Sequence, residues 1–249
     1  MTTDSFDGVK HVCFDKDGTL TDVHAYWSYI CGLRAAQLTI VHDLDLKTST
    51  GLLDAMGVAE EGRLKPGGPV GYHPRATVIG AVRRRLDEAG IAASDASIAQ
   101  VFAEVDAEMQ RKGDYRLVIL GGAGKLLESL SRRGFKLTLY TSDRTANAGA
   151  VLERIGLRKF FDTVIGGDAV KRPKPDPEGF HLACESVGVP PSQSAYIGDT
   201  LDDLKMAATG GAAQAIAVAT GLDTLSALSL ATPHAYTGLL DLMPHEEKI

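Results

Sequence analysis

The chain has no apolar run approaching the roughly 20 residues that a membrane span requires. The stretch from Ala212 to Leu222 is apolar but too short, and Gln214 and Gly221 interrupt it. Cysteine is scarce: Cys13, Cys31 and Cys184 are the three in 249 residues, they are widely spaced, and no CxxC pair occurs. That argues against a disulfide framework or a structural zinc site and fits a reducing cytosol, so a cytoplasmic location is expected. Positive charge is not in excess. Lys and Arg number 26 against 32 Asp and Glu, a net charge of -6. Nucleic acid and anionic membrane are therefore not expected as partners, while a local basic pocket for a small anion remains compatible. The opening residues, MTTDSFDGVK, carry early acids and no apolar segment of the secretory type. No internal repeat or low-complexity stretch is visible, and nothing in the sequence reads out an oligomeric state.

What is present is ordinary for a globular chain, with 44% hydrophobic and 23% charged residues. Short apolar runs recur at Val9–Phe14, Phe135–Tyr140, Thr163–Ile165, Ala195–Ile197 and Ala215–Ala219. Most are apolar on both faces, as strands of a sheet covered on both sides are. Helical patterns separate the later ones: Gly124–Arg133, followed by Gly134 as a stop, then Thr145–Ile155, Pro177–Val187 and Leu201–Ala208. Strands alternating with helices imply an α/β class, a doubly wound parallel-sheet core.

The stretch between the first two strands is different. Tyr26–Val41, Leu44–Met56, Arg75–Ala89 and Ser94–Gln110 read as helices. Gly57–Pro74, with three prolines and five glycines, reads as a loop. No strand is expected there, and the region is too long for one crossover helix. An inserted all-helical cap domain, 23–114, in a discontinuous core, 1–22 and 115–249, is the expected organisation. Its hinges would lie near Thr21–His24 and Asp114–Leu120, and the terminal HEEKI is expected to fray.

In a doubly wound sheet, ligands sit at the carboxyl ends of the strands. The first strand ends in VCFDKDGTLTD, with Asp15 and Asp17 around Lys16. The second, FKLTLY, ends in Thr141-Ser142-Asp143. A later loop, VKRPKPDPEGF, places Lys174 between prolines, and SAYIG ends in Asp199, followed by Asp202 and Asp203. A carboxylate can attack an electrophile, and a second one two residues on can trade a proton with the leaving and attacking oxygens. Several acids on one spot repel unless a cation lies between them, and hard oxygen ligands favour Mg²⁺. A hydroxyl and an ammonium then suit the equatorial oxygens of a transferring phosphoryl group.

Bland readings stand beside these. DKDG alone is most often a turn. As an EF-hand loop it fails, because Leu20 and Tyr26 stand where Gly and Glu are required. GGAGK, Gly121 to Lys125, imitates a phosphate-binding loop and fails twice, at Ile119 and at Leu126. Specificity lies in the ordered set of four motifs.

On that set, DKDGTLTD (Asp15 to Asp22), Thr141 in LYTSD, Lys174 in RPKPDP, and GDTLDD with Asp199 and Asp203, the sequence resembles the haloacid dehalogenase superfamily of phosphohydrolases. The wording of GGAGKLLESLSRRGFKLTLYTS and FFDTVIGGDAVKRPKPDP is similar to the phosphoglycolate-phosphatase branch with a helical cap. The resemblance covers roughly residues 8–22 and 115–222 and is weak over the cap. It implies a Mg²⁺-dependent phosphatase of a small phosphorylated metabolite. Asp15 would form an aspartyl-phosphate, and Asp17 would protonate the leaving alcohol and then activate water. Asp15, Asp199 and the backbone carbonyl of Asp17 would hold Mg²⁺, with Asp203 supporting the metal shell. Thr141 and Lys174 would hold the phosphoryl oxygens, with Lys174 also close to Asp15, and Ser142 is carried beside them as substrate-binding. Lys16 departs from the apolar residue many relatives carry, and its ammonium is available to the substrate or an adjacent loop. His24 is a substrate-binding candidate, against a hinge-packing role with Tyr26 and Trp27. Among Arg63, Lys65, His73 and Arg75, Arg75 is carried as a second, against a solvated loop.

A phosphomutase of the same fold needs the same acids and remains the alternative. A dehalogenase is disfavoured by the full acidic set, and a phosphonatase by Asp17. A non-catalytic binding protein would have announced itself by a lost motif residue, and none is lost. The cap would close over the site, exclude bulk water and select the substrate.

Overall fold

Parallel strands buried on both faces organise the first of two compact units. The computed structural model describes residues 6–113 and 116–243; Asp114 of the expected second hinge and the HEEKI tail lie outside them. The chain divides into Met1–Asp22 with Ile119–Ile249, and Val23–Val118. The second break thus falls four residues beyond the one expected at 114/115.

The first unit carries one six-stranded sheet: β1 (His11–Phe14), β2 (Lys136–Tyr140), β3 (Thr163–Ile165), β4 (Ser194–Gly198), β5 (Gln214–Val218) and β6 (Ala235–Tyr236), in the order β3-β2-β1-β4-β5-β6. Every pairing is parallel. The period-2 alternation of the strands splits the core into two layers. On one face Val12, Phe14, Leu137, Leu139, Ala195 and Ile197 pack with α6 (Ala123–Arg132) and α7 (Thr145–Arg154). On the other, Cys13, Tyr140 and Tyr196 pack with α8 (Glu178–Val187) and α9 (Leu201–Thr209). Helices on both faces make the sheet doubly wound, as the alternating pattern predicts. The strand order reverses between β1 and β4, and that crevice is where such folds bind ligands. A last helix, α10 (Leu225–Ala231), precedes the edge strand β6.

Inside the sheet lies a polar strut. His11 is fully buried, with Nδ1 3.0 Å from Ser194 Oγ and Nε2 2.8 Å from Thr138 Oγ1. Ser194 spends its hydroxyl proton on the Pro190 carbonyl, so it accepts from His11 Nδ1–H, and Nε2 accepts from Thr138. The ring is a neutral imidazole tying β2, β1 and β4 together. Burial lowers its pKa from 6.5 to about 4, against a smaller opposing pull from Asp162.

The second unit is helical: α1 (Val23–His42), α2 (Leu46–Met56), the single turn α3 (Pro69–Tyr72), α4 (Arg75–Glu88) and α5 (Asp95–Lys112). Among its described residues there is no strand. Asp45 caps α2 by accepting from the Thr48 N–H at 2.7 Å, which starts that helix two residues later than the apolar pattern suggested. Ser94 and Ser97 form a reciprocal capping box on α5, and Gly113 ends it in a left-handed conformation. Arg34 lies buried between the Trp27 and Phe102 rings and pairs with Asp106 at 2.9 Å, tying α1 to α5.

Candidate active site

Asp15 follows β1 directly, and its N–H continues the ladder onto the Ile197 carbonyl at 2.9 Å. Asp199 follows β4, on the other side of the switch point. Asp203 sits in the first turn of α9, where it shares a capping box with Thr200, whose hydroxyl donates to Asp203 Oδ2 at 2.6 Å. The three carboxylates are buried, and each offers an oxygen within 4.8 Å of the others. Lys174 Nζ reaches into the group, 2.6 Å from Asp15 Oδ1 and 2.8 Å from Asp203 Oδ1, and 5.3 Å from the centroids of both the Tyr140 and Tyr196 rings.

Two glycines shape the wall. A Cβ on Gly221 would stand 1.8 Å from Asp199 Oδ2, and one on Gly18 would stand 2.3 Å from it. Asp199 Oδ2 accepts from the Leu222 N–H at 2.8 Å, and Thr19 Oγ1 donates to Oδ1 at 3.4 Å. Thr220 donates to the Gly18 carbonyl at 2.6 Å, joining the loops after β5 and β1.

The electrostatics follow from burial. Burial pushes the Asp15 carboxyl up to about 6, with Lys174 pulling it down and Asp203 adding to the rise. Asp199 is held well above its ordinary range by burial and by the charges of Asp15 and Asp203. Burial alone would lower the Lys174 ammonium, but Asp15 and Asp203 hold it above the ordinary lysine range. Three carboxylates around one ammonium leave excess negative charge out of water, an arrangement that is costly without a further cation. An all-oxygen set with a carboxylate cradle too tight for a Cβ suits a hard divalent ion. The buried acidic cluster is compatible with a metal site on the chemistry of its donors.

The other sequence candidates are placed as follows. Thr141, buried at the end of β2, accepts the Asp143 N–H at 3.2 Å, and Ser142 beside it is exposed. The Asp17 side chain is apart from the acidic cluster and lies on Lys16 Nζ, 2.8 Å from Oδ2, and on Thr21 Oγ1, 2.9 Å from Oδ1. In the helical unit, His24 is buried and accepts the Leu64 N–H on Nδ1 at 3.1 Å, with Arg63 Nη2 2.8 Å from Nε2. Tyr26 and Trp27 stack edge to face, 5.3 Å apart. Arg75 pairs with Asp106 at 2.7 Å and lies 5.6 Å from the Phe102 ring centroid. Within their unit, both His24 and Arg75 are engaged in its own framework.

Sequence reasoning did not assign Thr19, Thr220, Gly221 or Leu222 to the site. The strand-end rule could have found the last three, since they follow β5 on the same edge of the sheet. The sequence marks Asp143 as part of a strand ending, and the structure makes it a charge facing Lys16.

Comparison with known proteins places this geometry. The family profile described as haloacid dehalogenase-like hydrolase matches residues 9–211. The probable phosphatase IndB of Dickeya dadantii is 40% identical over 116 residues, 47% of this chain and 50% of that protein, so the chain spans half of that relative's length. A phosphoglycolate phosphatase of Shigella boydii is 25% identical over 244 residues, covering 96% of this chain and 93% of that one. A crystal structure described as a predicted phosphoglycolate phosphatase from Haemophilus somnus superposes with a TM-score of 0.63 at 16% identity, covering 95% and 92% of the two chains, and so shares the fold. With the family match running from β1 through the inserted helices to the end of α9, most of the chain, the chain is a hydrolase that belongs to the haloacid dehalogenase-like family.

Proposed function

We propose that the protein is a Mg²⁺-dependent phosphatase that hydrolyses a small phosphomonoester through a phospho-enzyme on Asp15. The observation that carries this reading is the buried Asp15–Lys174–Asp203 ion-pair chain beside Asp199, at the switch point of the sheet. Asp15 bonds to phosphorus, the ester P–O bond breaks, and its electron pair leaves on the substrate oxygen, which takes the proton that Asp17 carries in the substrate complex as a carboxylic acid. Water oxygen then bonds to phosphorus, the bond to Asp15 breaks with its electrons returning to the carboxylate, and Asp17 takes the water's proton. Lys174 and Thr141 hold the phosphoryl oxygens, and Lys174 also orients Asp15. Asp15, Asp199 and the Asp17 carbonyl would hold the Mg²⁺, backed by Asp203, and its positive charge would offset the negative charge of the phosphoryl oxygens.

The substrate class is a small phosphorylated metabolite. Phosphoglycolate heads the panel to test because a relative aligned over nearly the whole chain carries that name. Nothing in the net charge of -6 favours nucleic acid, and among the described residues no helix is long and apolar enough to cross a membrane.

Phosphate release from that panel with Mg²⁺ tests the reading. Asp15→Asn should abolish it while leaving the fold intact by circular dichroism. Full activity in that variant would remove Asp15 as the nucleophile. Steady turnover of an aryl phosphate to inorganic phosphate separates a phosphatase from a mutase, which must keep its phospho-enzyme from water.

A further inference from the structure

Lys16 is a charge where a hydrocarbon would be cheaper. It follows β1 with its side chain only 5% exposed, so its ammonium has left water. Desolvating an ammonium costs several kcal/mol unless it is well paired. Its pairing is specific. Nζ lies 2.8 Å and 3.0 Å from the two carboxylate oxygens of Asp17, and 3.2 Å from Asp143 Oδ2. Asp143 is itself pinned, accepting the Arg144 N–H at 2.7 Å and the Asn147 side-chain amide at 2.7 Å. Its own N–H donates to Thr141 Oγ1. Asp17 has one other donor among the described contacts, Thr21 Oγ1 at 2.9 Å. The chain Thr141–Asp143–Lys16–Asp17 therefore braces the loop after β1 against the loop after β2. Asp17 is the least buried member, its side chain 34% exposed, and is the one whose orientation depends on the brace.

We propose that Lys16 is a positioning residue for the proton-transfer step: clamped between Asp143 and both oxygens of Asp17, it fixes the direction from which Asp17 meets the ester oxygen. This rests on the phosphatase reading above. A hydroxyl alone leaves a carboxylate free to swing about its side-chain torsions, and a buried, doubly paired ammonium does not. Without Lys16, phosphoryl transfer to Asp15 would still proceed wherever the departing oxygen is stable as an anion. It would slow where that oxygen must receive a proton as the P–O bond breaks.

The test uses two esters of one shape on the full chain: 4-nitrophenyl phosphate, whose phenolate leaves readily, and phenyl phosphate, whose phenolate is far more basic. Lys16→Met is expected to lower kcat/KM for phenyl phosphate about tenfold more than for 4-nitrophenyl phosphate, part of the 10²–10⁴-fold that a general acid supplies. KM for the nitrophenyl ester and the Mg²⁺ dependence should stay within about twofold, since the acids of the metal cluster are untouched. Equal losses on the two esters, or a larger loss on the nitrophenyl ester, would overturn the proposal and leave Lys16 a structural brace. Should Lys16→Met not fold, Asp143→Asn asks the same question with the ammonium kept and half its clamp removed. The skew toward phenyl phosphate should persist at about threefold, and its absence overturns the proposal equally. Failure of the phosphatase reading looks different, because the wild-type protein would then release phosphate from neither ester.

Discussion

Gly221→Ala isolates the carboxylate cradle better than any substitution of an acid, because it removes no functional group. The Cβ it adds would stand 1.8 Å from Asp199 Oδ2, 2.4 Å from Cγ and 2.8 Å from Cβ. Ordinary contact begins near 3.4 Å, so the oxygen or the loop must give by about 1.6 Å, and a displacement of ~1 Å in a catalytic constellation can cost on the order of 10²-fold. Turning the carboxyl group is no escape, since Asp199 Cβ itself is inside contact distance. Backbone strain does not confuse the result, because Gly221 does not sit in the left-handed region. Gly18, with φ at +88°, would mix strain with clash. Gly221→Ala should therefore lower kcat/KM by about 10²-fold and raise the Mg²⁺ concentration needed for half-maximal activity. The neighbouring change Gly238→Ala supplies the control: its Cβ would meet Thr220 Cγ2 at 3.6 Å, an ordinary contact, and activity should be unchanged. Phosphate release and Mg²⁺ titration on folded protein decide the matter. If Gly221→Ala were within about twofold of wild type at every Mg²⁺ concentration, the proposed role of Asp199 as a metal ligand would be refuted.

Lys174→Met strips the ammonium from three buried acids. It should lose activity and cost about 3 kcal/mol of stability in EDTA, the lower end for breaking a buried pair. Mg²⁺ should restore much of that stability, and a denaturant midpoint equal to wild type in EDTA would count against the cluster's charge balance. His11 makes the fold acid-sensitive. In the unfolded chain it protonates near 6.5, and in the folded chain only near about 4. Below 6.5 the unfolded state thus binds more protons, so its contribution is full above pH 6.5 and is lost as pH falls toward about 4. The drop corresponds to roughly 3 kcal/mol. Urea unfolding of wild type and His11→Gln across that window should show a slope in the wild type that the variant lacks, and parallel curves would refute it.

The fold was legible where burial leaves a compositional trace. Val12, Phe14, Leu137, Leu139, Ala195 and Ile197 are apolar runs because both faces of their strands are covered, and the helices between them carry one apolar side. β6 left no such trace: Ala235 and Tyr236 are both only half-buried at the sheet edge. Helix α10 buries Leu228 alone, too little for a periodic stripe. The turn Pro69–Tyr72 is hidden among glycines and prolines, and its interior residues Val70 and Gly71 leave helical geometry. Cap chemistry set boundaries that apolar periodicity could not: Asp45 fixed the start of α2, and Gly113 carried α5 two residues past Gln110.

The site divides by the same logic, but along charge. Topology puts strand ends together, so Asp15 and Asp199 could be gathered from the sequence before any distance was known, and the family resemblance added Asp203 and Lys174. What topology does not encode is which partner a long side chain chooses. Lys16 lies between two acids in DKD, and the pattern reads equally as an ammonium facing substrate or one facing a loop. The structure turns it inward onto Asp17 and Asp143, because β2 ends beside β1 and delivers Asp143 to the same spot. The contrast with Lys174 is instructive. Both lysines are buried ammoniums bridging two carboxylates, yet Lys174 bridges members of the acidic cluster and Lys16 bridges Asp17 to Asp143 in the loop after β2. On the proposed mechanism, two cations of one chemistry would divide the site into a half that binds charge and a half that moves a proton. The leaving-group comparison on Lys16→Met reads the second half without disturbing the first.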